Sequence, residues 1–209
     1  MERSPLSNYE ITRNATEAKF PEYDQEQIIS RFHLKNDGEY IYVDFVGREY
    51  RISRQTGKVE YFSGLEGGYC HADFNVVLTI FDVLCGSKPD AFLSGNFVSL
   101  NAVKGLTVAA APGSELFGKN AAVFAGRCED LKKACEKLGG VPEKVGDVAY
   151  KLPLFDFMEV IFQFWDADEE FEASVRILWD ENILSYMRFE TTFYAALHLL
   201  ERLKELAEV

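Results

Sequence analysis

Two Trp-Asp pairs, Trp165-Asp166 and Trp179-Asp180, bracket a short segment that carries Asp168, Glu169, Glu170 and Glu172. Clustered carboxylate oxygens are what a hard cation such as Ca²⁺ or Mg²⁺ requires. A calcium loop, however, also needs a glycine after its third ligand, and Phe171 stands there. Paired carboxylates that act as acid and base need surroundings that drive their pKa values apart, which a solvated turn does not supply. The residues around the acidic segment alternate. Val160, Phe162 and Phe164 fall on one side of an extended strand, with Ile161, Gln163 and Trp165 on the other, while Val175, Ile177 and Trp179 share a face downstream. The pattern predicts a hairpin with an acidic connection and a tryptophan near each end. As a ligand site, Trp165, Phe171 and Trp179 would form an apolar wall, and Asp166, Asp168 and Asp180 would give polar selectivity. The competing reading uses both tryptophans to close the core and leaves the carboxylates in water or facing a partner.

A second candidate is Cys70-His71. If it opens a helix, amide donors and the helix dipole lower the thiol pKa, giving a reactive or metal-binding cysteine. The alternative is a packed thiol beside a cap-region histidine. Gly64 to Gly68 precede that helix and could cradle an anion, but they match neither the phosphate-loop nor the dinucleotide pattern. Cys128 and Cys135, seven residues apart on an apolar helical stripe, read as small hydrophobes. His33 and His198 read as boundary or surface histidines. The tyrosines and phenylalanines from Tyr40 to Phe62 could stack a planar ligand, although half-buried strands recruit the same residues for packing.

The elements that must position these groups are legible in outline. Residues 1–30 form a polar N-terminal extension with helical pattern from Asn8 to Lys19 and again from Tyr23 to Phe32. Three β-rich runs between Glu39 and Phe62, punctuated by Gly47 and Gly57, predict a meander. His71 to Cys85 is apolar on nearly every side and predicts a buried central helix. A short strand is expected within Phe92 to Leu100, and one helix or two in line from Ser114 to Leu138, stopped by Gly139-Gly140. A strand from Val148 to Leu154 leads into the hairpin. A C-terminal helix starting at Glu190 or Thr191 carries the stripe Phe193, Leu197, Leu200, Leu203 and Ala207. Hairpins grouped between helices predict an α+β fold: an antiparallel sheet built from the meander and the hairpin, packed against the central and C-terminal helices in a single domain, 1–209.

With 209 residues, 47% of them hydrophobic, the chain is long enough to bury a sizeable core. Its formal charge of −12, from 34 acidic and 22 basic residues, disfavours a nucleic-acid backbone or an anionic membrane surface as partner. No apolar run approaches the ~18 residues needed to cross a bilayer, and the first residues lack the apolar core of a secretory signal. A cytoplasmic protein is expected, with its four cysteines as thiols.

Four segments taken in order carry a resemblance: FVGREYRISRQTGKV (45–59), LSGNFVSLNAVKG (93–105), the KLGG stop (137–140) and FWDADEEFEASVRILWDENILSYM (164–187). The chain resembles the family called domain of unknown function 3786, from bacteria and archaea that include many anaerobes. Glu172 stands where that family often has a proline. Some relatives add a cysteine-rich iron–sulfur module, which implies accessory work around anaerobic redox or one-carbon chemistry. The four cysteines here lack cluster spacing, so no cofactor and no catalytic residue is carried over. The expectation is a non-catalytic ligand-binding or accessory protein that takes a small molecule or a protein partner. The alternatives are an interaction or homodimerisation module, and a metal-assisted or Cys70-dependent enzyme.

Overall fold

The computed structural model describes residues 6–106, 117 and 120–208. The described part of the N-terminal extension holds two α-helices joined through a 3-10 turn at Phe20–Glu22. The first, α1 (Asn8–Ala18), opens with a reciprocal capping box between Ser7 and Glu10. The second, α2 (Gln25–Phe32), is capped by Asp24 and ends where His33 turns left-handed at φ 53°. As expected from its position, His33 is an exposed boundary residue.

The meander follows as β2 (Tyr40–Phe45), β3 (Arg48–Ser53) and β4 (Val59–Ser63), preceded by the two-residue β1 (Lys35–Asn36). Its first turn is Val46-Gly47, with φ 49° and 64°, a two-residue connection whose twist matches the strands. A fourth strand, β5 (Gly68–His71), pairs with β4, so the glycine-rich connection is a hairpin turn and does not lead into a helix. The central helix α3 (Phe74–Gly86) starts three residues later than the apolar run suggested. Asp73 sets that start by accepting from the Val76 amide, and the helix is buried from Val76 through Leu84.

After β6 (Phe97–Ser99), the expected helix from Ser114 to Leu138 differs in part. Residues 114–116, 118 and 119 lie outside the described region, a turn at 123–126 contains Gly126 at φ 72°, and the regular helix is α4 (Cys128–Lys137). The rest is β7 (Val141–Pro142), β8 (Val148–Phe155), β9 (Met158–Trp165), β10 (Ser174–Asp180) and the long α5 (Phe189–Ala207). The α+β expectation holds: the strands form one open antiparallel sheet in the order β5-β4-β3-β2-β8-β9-β10-β6, with β1 on β2 and β7 on β8. Among the described residues no helix is long and apolar enough to cross a membrane.

Alternation places Ile41, Val43, Tyr50, Ile52, Tyr150, Leu152, Val160 and Phe162 on the buried face, over which α3 and α5 complete the core. Within α5 the buried stripe is Ala195, Ala196, Leu199, Leu200 and Leu203, and Phe193 and Leu197 are only half-buried. Leu200, Leu203 and Ala207 are buried as expected, but in the first half of the helix the two alanines and Leu199 take the place of Phe193 and Leu197, a rotation of the buried face from the expected stripe. That rotation also corrects the reading of His198. It is buried, its ring is stacked on Phe45 at 4.9 Å, and its Nε2 shares a 3.1 Å hydrogen bond with the Tyr50 hydroxyl.

Burial, and then the nearby Arg202 and Arg48, push the His198 pKa down to about 3. The unfolded chain, with a histidine near 6.5, therefore binds a proton that the folded chain refuses between those values. Stability from this site is full above pH 6.5 and falls as pH drops towards 3. Between pH 7 and pH 5 the loss is expected to be about 2 kcal/mol. Urea unfolding at the two pH values should show it in the native protein and show that much less of it in His198→Phe.

Candidate functional site

The predicted hairpin is β9 and β10, with Trp165 opposite Ser174 at the end closed by the acidic connection. Trp165 lies on the outer face of the sheet, where the Arg176 guanidinium covers its ring at 5.3 Å. Trp179 is at the other end of β10, opposite Val98 of β6, and at 3% exposure it faces the core. The two tryptophans therefore stand on opposite faces and at opposite ends, and the six residues Trp165, Asp166, Asp168, Phe171, Trp179 and Asp180 divide into two groups.

Asp180 belongs to the Trp179 group. It is 2% exposed and accepts hydrogen bonds from the Gly95 amide at 2.7 Å, the Asn182 amide at 2.8 Å and the Ser94 hydroxyl at 3.2 Å. These bonds fix the loop before β6, with Gly95 at φ 75°. Glu181 beside it is ion-paired to Lys104 at 2.8 Å.

Asp166 does the same at the other end. Its carboxylate accepts from the Gly126 amide at 2.9 Å, from its neighbour Ala167, and from the Cys128 thiol at 3.4 Å. The Gly126 amide, foremost, holds the Asp166 carboxyl below its usual range, while burial and then Asp166 push the Cys128 thiol up. A left-handed glycine two residues before Cys128 was the sequence signal for this clasp, but nothing in the spacing linked it to position 166. Beyond the clasp, Asp168 closes its own turn by accepting from the Glu170 and Phe171 amides, both at 2.8 Å, while its amide donates to the Phe171 carbonyl at 3.0 Å. Phe171, held by the backbone on both sides, is 69% exposed.

The family model described as Domain of unknown function (DUF3786) matches residues 24–202, a span that contains both groups. The chain belongs to the DUF3786 family. No match was found among curated proteins or among solved structures.

In this DUF3786 domain Cys70 and His71 are strand residues of β5 and lie before the helix, so the dipole argument for an acidic thiol does not apply. The Cys70 thiol donates to Glu66 at 3.0 Å, and that carboxylate is the main cause of a raised pKa. His71 turns away to Glu17, whose buried carboxylate takes both the imidazole Nε2 at 2.8 Å and the Val59 amide at 2.9 Å. The pair thus ties α1 to the sheet. Among the described residues no three histidine, cysteine, aspartate or glutamate side chains are placed to share a metal ion.

Two outcomes follow from these contacts. Asp180→Ala leaves two amides without acceptors and should cost about 2–3 kcal/mol in urea unfolding, with new proteolysis at the Gly95 loop. Cys70 should alkylate with iodoacetamide at neutral pH more slowly than a free thiol, and Glu66→Gln should speed it.

Proposed function

We propose that this domain is a non-catalytic accessory module that docks a basic polypeptide through the connection between β9 and β10. The observation that supports it is Phe171, 69% exposed on a turn whose backbone is held by bonds to Asp168 on both sides. Around it Asp168, Glu169, Glu170 and Glu172 have no ion-pair partner among the described residues. Elsewhere several acids are paired, as in Arg51 with Glu60, Lys104 with Glu181 and Lys151 with Glu159.

An aromatic anchor inside a ring of uncompensated carboxylates is complementary to an apolar hollow rimmed by lysine or arginine. The ring gains nothing for the fold, because four like charges on one connection repel one another. It would speed encounter with a cationic surface and select against an acidic one. A small molecule held between the two tryptophans fits less well, since they lie across the sheet from each other. The setting is taken to be the cytoplasm of a prokaryotic cell, where the four cysteines, all unbridged in the fold, stay reduced.

The test places a photo-crosslinking phenylalanine analogue at position 171 and irradiates cells that make the full chain. One defined partner, joined through a lysine- or arginine-rich segment and lost when Asp168, Glu169, Glu170 and Glu172 are made amides, is the expected result. Crosslinks to a second copy, confirmed by a dimer in native mass spectrometry, would replace the partner with self-association. Crosslinks unaffected by the amide variant would overturn the charge-guided reading.

A further inference from the structure

The ten-stranded sheet is two half-sheets, β1–β5 and β6–β10, that meet between β2 and β8. Their register holds one pair, Phe45 with Phe155, next to a bond from the Val46 amide to the Leu154 carbonyl at 2.8 Å. By comparison β2 and β3 share six register pairs and β8 and β9 share seven.

Three further features converge on this seam. Val46 has φ 49°, a left-handed conformation that a β-branched side chain adopts at a cost of roughly 1–2 kcal/mol, yet it is fully buried. The Arg202 guanidinium, also buried, donates from Nε to the Val46 carbonyl at 3.3 Å. Finally, Asp44 and Glu49 sit directly opposite one another across β2 and β3, and Asp156 comes from the turn of the other half-sheet to line the same cavity of about 70 Å³. Like charges in opposed positions destabilise a sheet.

The groups that face Asp44 are Glu49 from β3, Asp156 from the β8–β9 turn, Lys35 from β1, His33 from the end of α2 and Tyr42 on its own strand. Lys35 is the cation among them. Burial first, and Asp156 second, push the Asp44 carboxyl up, and Lys35 opposes them. The cavity is far below the ~300 Å³ of a metabolite site, which leaves the carboxylates with no ligand to serve.

We infer that the seam is a charge-sensitive joint: the two half-sheets shift against each other there, and Asp44, Glu49 and Asp156 supply the repulsion that loosens it. Across the joint the aromatic contact is face to face, Phe45 on Phe155 at 4.7 Å, and Phe157 of the same half-sheet extends the stack from Phe155 at 5.4 Å. Stacked rings tolerate sliding better than directional backbone bonds do, so the motion is shear along the stack. This inference is independent of the docking surface at Phe171.

Residue-resolved hydrogen exchange by NMR on the full chain tests it. The Val46 amide should exchange through an opening at least tenfold more frequent than those that free the Ile52 and Phe162 amides in the two half-sheet centres. Glu49→Gln and Asp156→Asn should each slow Val46 exchange about two- to fivefold, and Lys35→Gln should speed it. Using two neutralising variants guards against one of them disturbing a turn. Val46 exchange as slow as that of Ile52 and Phe162 would show that the sheet moves as one body. Unchanged exchange in both neutralised variants would remove the carboxylates from the account.

Discussion

A run of rings crosses the middle of this fold and carries the connection that the backbone leaves thin. From Phe32 it passes to Phe157 at 4.8 Å, on through Phe155 and Phe45, to the His198 imidazole, and ends at the Tyr50 hydroxyl bonded to that imidazole. The run links α2, both half-sheets and the C-terminal helix, so each of those elements has its position fixed relative to the others by side-chain packing. The consequence for His198 is severe. An imidazole buried in that stack, with Arg202 and Arg48 nearby, has to remain neutral, which gives the fold a dependence on pH that a phenylalanine at the same place would not.

The buried carboxylates have a common employment. Glu17, Asp82 and Asp180 each take backbone amide donors and side-chain donors from segments distant in sequence. Asp82 on α3 receives the Arg188 amide and the Thr191 hydroxyl, and so caps α5, whose own N-cap residue provides no side-chain acceptor. A buried carboxylate that lost these donors would be costly, so each one specifies a single docking position for the element it holds. These residues are paired and structural, in contrast to the four acids around Phe171, which lack an ion-pair partner among the described residues.

The fold was largely legible because it rests on periodicities. Alternation from Tyr40 to Phe62 and from Val148 to Trp179 marked the strands, but that Trp165 and Trp179 lie on opposite faces needed the register of β9 on β10, which pairs Val175 with Phe164. What was hidden depended on contacts between distant residues. Strand β5 is short, and Cys70-His71 adjoins the apolar run of α3, so local pattern merged them; pairing to β4 and the Asp73 cap separate them. His198 read as a boundary or surface residue because a helical stripe drawn through Phe193 and Leu197 excludes it, whereas the face that is buried runs through Ala195, Ala196 and Leu199 and includes it. Asp166 and Asp180 were visible as carboxylates, but their acceptor roles needed the Gly126 and Gly95 amides to arrive from elsewhere in the chain.

The distribution of strain fits this division of labour. Val46 occupies a turn position that asparagine or glycine would fill more easily, and its side chain is spent in the core, where burial of a valine offsets roughly 1.5–3 kcal/mol. Gly47 beside it has no such choice, because a Cβ there would come within 2.6 Å of Leu138 at the end of α4. One half of the hairpin tip, Val46, is thus plugged in beside α4, α5 and β8 while Gly47 stays exposed, where most tips lie wholly in water. A plug that is tightly packed yet strained, beside opposed carboxylates, resists separation of the half-sheets while leaving little directional bonding to oppose a small slide between them.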